Sequence, residues 1–136
     1  MASAAASAYD LAATYLHIKS NSTVVPVEVD EEFWARIHER THLHEGRMVM
    51  LLPMTEDWPT WERHPAGDEI VYMLSGAMYL VLKLPVGERS VSLTAKHACI
   101  VPRGIWHTGK VREPGEALFI TPGVGTENRP LGAHLD

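Results

Sequence analysis

The chain has 136 residues, 46% of them hydrophobic and 21% charged, with a formal net charge of -5. That length suits one domain with a real hydrophobic core and is too short for two comfortable ones. The acidic balance argues against a nucleic acid or an anionic membrane surface as partner and favours the handling of a small molecule.

The opening stretch Met1-Ala2-Ser3-Ala4-Ala5-Ala6-Ser7 lacks the basic residues and leucine-rich core of a signal peptide, and no apolar run reaches membrane-spanning length. The single cysteine, Cys99, allows no intrachain disulfide. A cytoplasmic location is expected. Residues 1–14, rich in Ala and Ser, have little to bury and are expected to be loosely ordered. A short helix is predicted over residues 31–40, where Asp30, Glu31 and Glu32 favour a helix start and Phe33, Trp34 and Ile37 share a face. It is expected to pack outside the main body of the fold.

From Arg47 onward short apolar segments are broken by Pro and Gly, and strands are predicted over residues 47–52, 70–75, 78–84, 90–93, 99–101, 106–111 and 117–121. No long helical crossover is available to build a parallel sheet, so the fold class is all-β, a sandwich or barrel over residues 15–125. A tail of residues 126–136 follows it. Ser75-Gly76 reads as a tight hairpin between two apolar runs, and Pro85-Val86-Gly87 closes the next strand.

Strand alternation picks out the polar residues that matter. Glu69 shares a face with Val71 and Met73, and Glu62 and His64 point to one side of their segment with Trp61 and Arg63 on the other. A buried ionised carboxylate costs several kcal/mol unless it is paired or coordinates a cation. A divalent ion offsets that cost, and imidazoles from His64 and His107 with carboxylate oxygen make a mixed N/O site suited to iron, manganese, zinc, nickel or copper. The Pro102-Arg103-Gly104 turn stiffens the backbone ahead of His107.

These residues carry a resemblance to the cupin superfamily, covering residues 51–122. His64 matches the second histidine of the family's first motif, Glu69 its glutamate and Gly76 its closing glycine, while Pro102, Gly104 and His107 match the second motif. Glu62 stands where the family usually has its first histidine, Glu56 and Lys96 replace the leading glycines, and Val111 replaces a terminal asparagine. The resemblance implies a double-stranded β-helix or jelly-roll barrel, preceded here by the short helix, with the metal inside, a substrate entering through one open end, and a homodimer.

The expected ligand set is therefore Glu62, His64, Glu69 and His107 around one divalent transition metal per chain. If Glu62 stays off the ion, the other three make a two-histidine, one-carboxylate face and Glu62 becomes a general base. If Glu62 is instead a solvated rim residue, Arg63 or Arg103 is its expected partner. Trp61, Tyr72, Trp106 and Arg103 are candidates for the substrate pocket, with Trp58 beside the first motif; the plainer alternative for the aromatics is core. Met48, Met50, Met54, Met73 and Met78 read as adaptable filling, and Cys99 as a small buried hydrophobe.

His42 and His44 form a second His-x-His pair, but no second motif stands at matching spacing, and a solvated loop is expected. His17, His38, His97 and His134 are read as structural or exposed. The function expected is a metal-dependent enzyme acting on a small organic molecule, with dioxygenase-type chemistry first. The alternatives are a nonoxidative lyase or isomerase using Glu62 as base, a noncatalytic small-molecule-binding barrel, and a barrel without metal.

Overall fold

A computed structural model of the chain describes residues 7–136, so the expectation of loose order over residues 1–6 lies outside the described part. In chain order the strands are β1 (Thr14–Ile18), β2 (Val24–Glu28), β3 (Arg47–Met54), β4 (Thr60–Arg63), β5 (Glu69–Met73), β6 (Ala77–Leu84), β7 (Gly87–Thr94), β8 (Ala98–Val101), β9 (His107–Glu113), β10 (Gly115–Pro122) and β11 (Glu127–Pro130). They pair antiparallel into two sheets, β2-β1-β3-β10-β5-β8 and β11-β4-β9-β6-β7. The architecture is a jelly-roll barrel.

Alternation decides what lies between the sheets. Val71 and Met73 on β5, Met78 and Leu80 on β6, Leu93 on β7 and Ala117 on β10 are all buried and belong to one core cluster. Their strand neighbours face outward, which is the period-two pattern of a sheet with one dry face. Val81, out of phase with Leu80 and Leu82, joins Trp61 and Trp106 in a second, smaller cluster covered by Leu135.

Four expectations need correction. Ser75-Gly76 is not a hairpin: β5 pairs with β10 and β8, whereas β6 pairs with β7 and β9, so the turn carries the chain from one sheet to the other. Gly76 has φ +78, and a Cβ there would lie 2.5 Å from the Glu113 carbonyl oxygen, so the crossing demands a glycine that the sequence signal could not distinguish from a hairpin's. Pro85-Val86, in contrast, does join a pair, with Leu84 opposite Gly87.

The N-terminal stretch is tied down from Asp10 onward, where Ala13 and Thr14 N–H groups donate to the Asp10 carbonyl and Leu51 N–H donates to the Leu11 carbonyl. The segment expected as a tail supplies β11, which pairs with β4 from Glu127 opposite Arg63 to Pro130 opposite Thr60. The helix is a single turn, α1 (Phe33–Arg36), continued by 3-10 turns at Ile37–Glu39 and Thr41–Leu43, and it walls the interior cavity. Strands β1 and β2 had no sequence signal; Pro26 sits in β2 because that strand is an edge, where a missing N–H leaves no ladder bond unmade.

Candidate metal centre and its cavity

Two loops are braced against each other so that their side chains meet. Gly104 N–H donates to the His64 carbonyl at 3.0 Å, and Arg103 N–H donates to Asp68 Oδ1 at 2.8 Å, which ties the loop after β4 to the turn before β9. Gly104 takes φ +73 in that turn, a conformation open to glycine at little cost. Strand β9 lies at the centre of its sheet, with Glu62 of β4 directly opposite His107. Glu69 approaches from β5 in the other sheet, so the cluster spans the barrel interior.

Glu62, His64, Glu69 and His107 offer ligand atoms that all lie within 4.8 Å of one another, the group of this kind among the described residues. His64 Nε2 is 2.9 Å from Glu62 Oε1 and 3.3 Å from Glu69 Oε2, and His107 Nε2 is 3.1 Å from Glu69 Oε1. Glu69 and His107 are fully buried, His64 nearly so, and Glu62 remains about one quarter exposed, at 28%.

Hydrogen bonds behind the cluster aim its donors. His107 Nδ1–H donates to the Ile105 carbonyl at 3.0 Å. His64 Nδ1–H donates to Thr126 Oγ1 at 2.9 Å, whose own hydroxyl donates to the Pro122 carbonyl. Each ring is thereby held with Nε2 facing the centre, the arrangement that metal-binding histidines require. Thr121 Oγ1 donates to Glu69 Oε2 at 2.6 Å and fixes the carboxylate.

The residues fit a divalent ion. Glu69 Oε1 and His107 Nε2 are buried without a hydrogen-bond partner, close together but poorly aligned for a bond to each other. Leaving such an atom unsatisfied costs about 1–3 kcal/mol, and more for a charged group. A cation between them satisfies both, and a donor set of two imidazoles and two carboxylates suits a first-row transition metal.

Without metal the cluster holds a proton. Burial pushes His64 down, but hydrogen bonds to Glu62 and Glu69 and the charges of both outweigh it and raise the imidazole to about 10. Burial pushes Glu69 up, while the His64 and His107 rings beside it hold its carboxyl well below the usual range. An incoming ion must displace the His64 proton. Affinity for a divalent ion is therefore expected to rise about tenfold per pH unit between about pH 7 and pH 9, with proton release measured by calorimetry in buffers of different ionisation enthalpy. An affinity independent of pH in that window contradicts the proton count.

Glu62, His64 and Glu69 open onto a cavity of about 750 Å³. Its walls are Met48, Met50 and Met54 from β3, Phe33 from α1, Trp58 and Phe119. Trp61, Tyr72, Trp106 and Arg103 do not line it. Trp61 and Trp106 point out of the opposite face of their sheet, where Arg63 lies 4.6 Å over the Trp106 ring, Lys83 5.0 Å over Trp61, and Trp61 Nε1–H donates to the Leu131 carbonyl. They anchor the C-terminal residues. Trp61 stands one residue from Glu62 within β4, an odd step that puts it on the other face, and Trp106 lies just ahead of β9, one residue before His107. Arg103 is exposed, and Arg63 pairs with Glu127 at 2.7 Å, so neither arginine engages Glu62.

Thr121 and Thr126 escaped the sequence reading. Thr121 carries a signal, a polar residue in phase with the inward Ala117 and Phe119, whereas Thr126 carries none. His44, expected in a solvated loop, lines the cavity and its Nε2–H donates to the Ile37 carbonyl at 2.7 Å.

The barrel is similar to part of Bacillus subtilis oxalate decarboxylase, known for Mn(II) centres, with 19% identity and a TM-score of 0.51 over 62% of this chain and 24% of that one. A cupin-2 domain protein from Shewanella frigidimarina gives 18% identity over 56% of this chain and 70% of that one, with a TM-score of 0.49. A cupin superfamily protein from Desulfitobacterium hafniense gives 17% identity over 56% and 66%, with a TM-score of 0.47. No protein-family model matches the chain, and no curated protein matches it. Among the described residues no helix is long and apolar enough to cross a membrane.

Proposed function

This chain has the cupin fold, and we propose that it is a metal-dependent enzyme acting on a small organic molecule. The observation that carries the proposal is the pair of buried, unpartnered atoms Glu69 Oε1 and His107 Nε2, set beside a cavity large enough for a substrate. His64, Glu69 and His107 hold one divalent ion, which when bound supplies a Lewis acid for a substrate oxygen.

Glu62 reaches the histidines, lines the cavity and is the most exposed member of the cluster, at 28%. It accepts a proton from substrate at Oε1 or Oε2 and returns it, the step that lyase and isomerase chemistry share. Thr121 and Thr126 orient Glu69 and His64. The apolar walls exclude water around the reacting group.

A second reading, oxidation of the substrate with dioxygen, draws support from His64, Glu69 and His107 forming a two-histidine, one-carboxylate set when Glu62 remains free. Metal content measured together with oxygen uptake and substrate loss, across a set of aromatic and hydroxy-carbonyl compounds, separates the two. Turnover without oxygen uptake is expected. Metal-free protein that turns over a compound as fast as loaded protein overturns the proposal.

A further inference from the structure

We propose that the cavity selects an uncharged, largely apolar organic molecule that presents a neutral oxygen to the four-residue cluster, and that it rejects phosphate esters and dicarboxylates. The oxygen's role rests on the metal reading above; the selectivity for apolar, uncharged ligands does not.

Charge makes the argument. No lysine or arginine is found among the described residues that line the cavity, and its acidic lining residues are Glu62 and Glu69. With a divalent ion in place, two carboxylates offset its two charges and the cluster is formally neutral. Without one, even two protonated histidines bring it only to zero. A ligand with two negative charges finds no surplus positive charge on the cluster in either state and no lysine or arginine beside it, His38 and His44 being the other ionisable lining residues, and burying it uncompensated is strongly disfavoured.

Shape and surface agree. Three methionines on one face of β3 give a wall of flexible, polarisable side chains that adapts to apolar outlines. Trp58 stands edge-on to the His107 ring at 6.0 Å between centroids and packs against Phe119, which sets aromatic surface beside the cluster. At the rim, Trp34 is half exposed at 51% although it contacts Tyr15 and Phe33, an apolar surface left open where a ligand enters.

The test is calorimetric titration of the full chain, zinc-loaded and metal-free, with naphthol and with naphthyl phosphate. Naphthol is expected to bind at least about tenfold tighter than the phosphate ester in both forms. Equal or tighter binding of the ester, or no naphthol binding in either form, overturns the proposal. Leu52 is a half-buried lining residue in phase with the three methionines. Leu52→Arg, which adds the missing cation, is expected to erase most of that preference by strengthening binding of the ester. An unchanged ratio in a folded variant places the ligand elsewhere and overturns the assignment; Trp34→Arg at the open rim serves if Leu52→Arg does not fold. Naphthol binding in protein that takes up no zinc sinks the metal reading and leaves this one standing, and zinc uptake with no naphthol binding does the reverse.

Discussion

Protein in which both His64 and His107 are replaced by alanine is expected to bind no metal. Elemental analysis after saturation and desalting should fall from roughly one ion per chain to below about a tenth, because the two imidazole nitrogens are half of the donor set and, among the described residues, no other histidine joins the cluster. The change also removes both partners that hold Glu69 ionised in a fully buried position, leaving it the Thr121 hydroxyl. Breaking a buried charge pair in this way costs about 3–5 kcal/mol, so lower stability is expected alongside the lost metal. Glu69→Gln separates the two effects: it discards the charge, keeps an oxygen to accept from Thr121, and is expected to fold while binding metal far more weakly. Full occupancy in the folded double variant would falsify the metal centre.

Glu62→Gln is expected to lower turnover by about 10²–10⁴-fold while metal content stays near that of the parent protein. Glutamine keeps the size of the side chain and an oxygen near His64 Nε2, at present 2.9 Å from Glu62 Oε1, but it cannot take up a proton. Unchanged turnover removes Glu62 from the chemistry. Metal lost together with turnover makes it the fourth ligand instead, which the 3.8 Å from its Oε1 to His107 Nε2 places within reach of a shared ion. Gel filtration and circular dichroism confirm that the variant is folded before either result is read.

The barrel strands were legible because alternation marks a half-dry sheet. Glu69 betrayed itself as a carboxylate in phase with Val71 and Met73, and the structure buries all three. The same period places Glu62 and His64 together and sets Trp61 on the opposite face from them. Trp61 is next to Glu62 in β4, and adjacency in a strand means opposite faces. Strands β2 and β11 were not legible, since edge strands make few core contacts and carry polar residues and proline that mimic loops.

By itself, the order of residues determined the inward phase of each strand and the types of donor that face the interior, because side-chain alternation follows from backbone geometry alone. Which strands pair, where Ser75-Gly76 sends the chain, that the turn around Phe33 closes over the three methionines, and that Thr121 and Thr126 stand behind the ligands were decided by the tertiary structure. Those contacts join residues dozens of positions apart, and their free energy comes from burial against partners that no local stretch of chain contains.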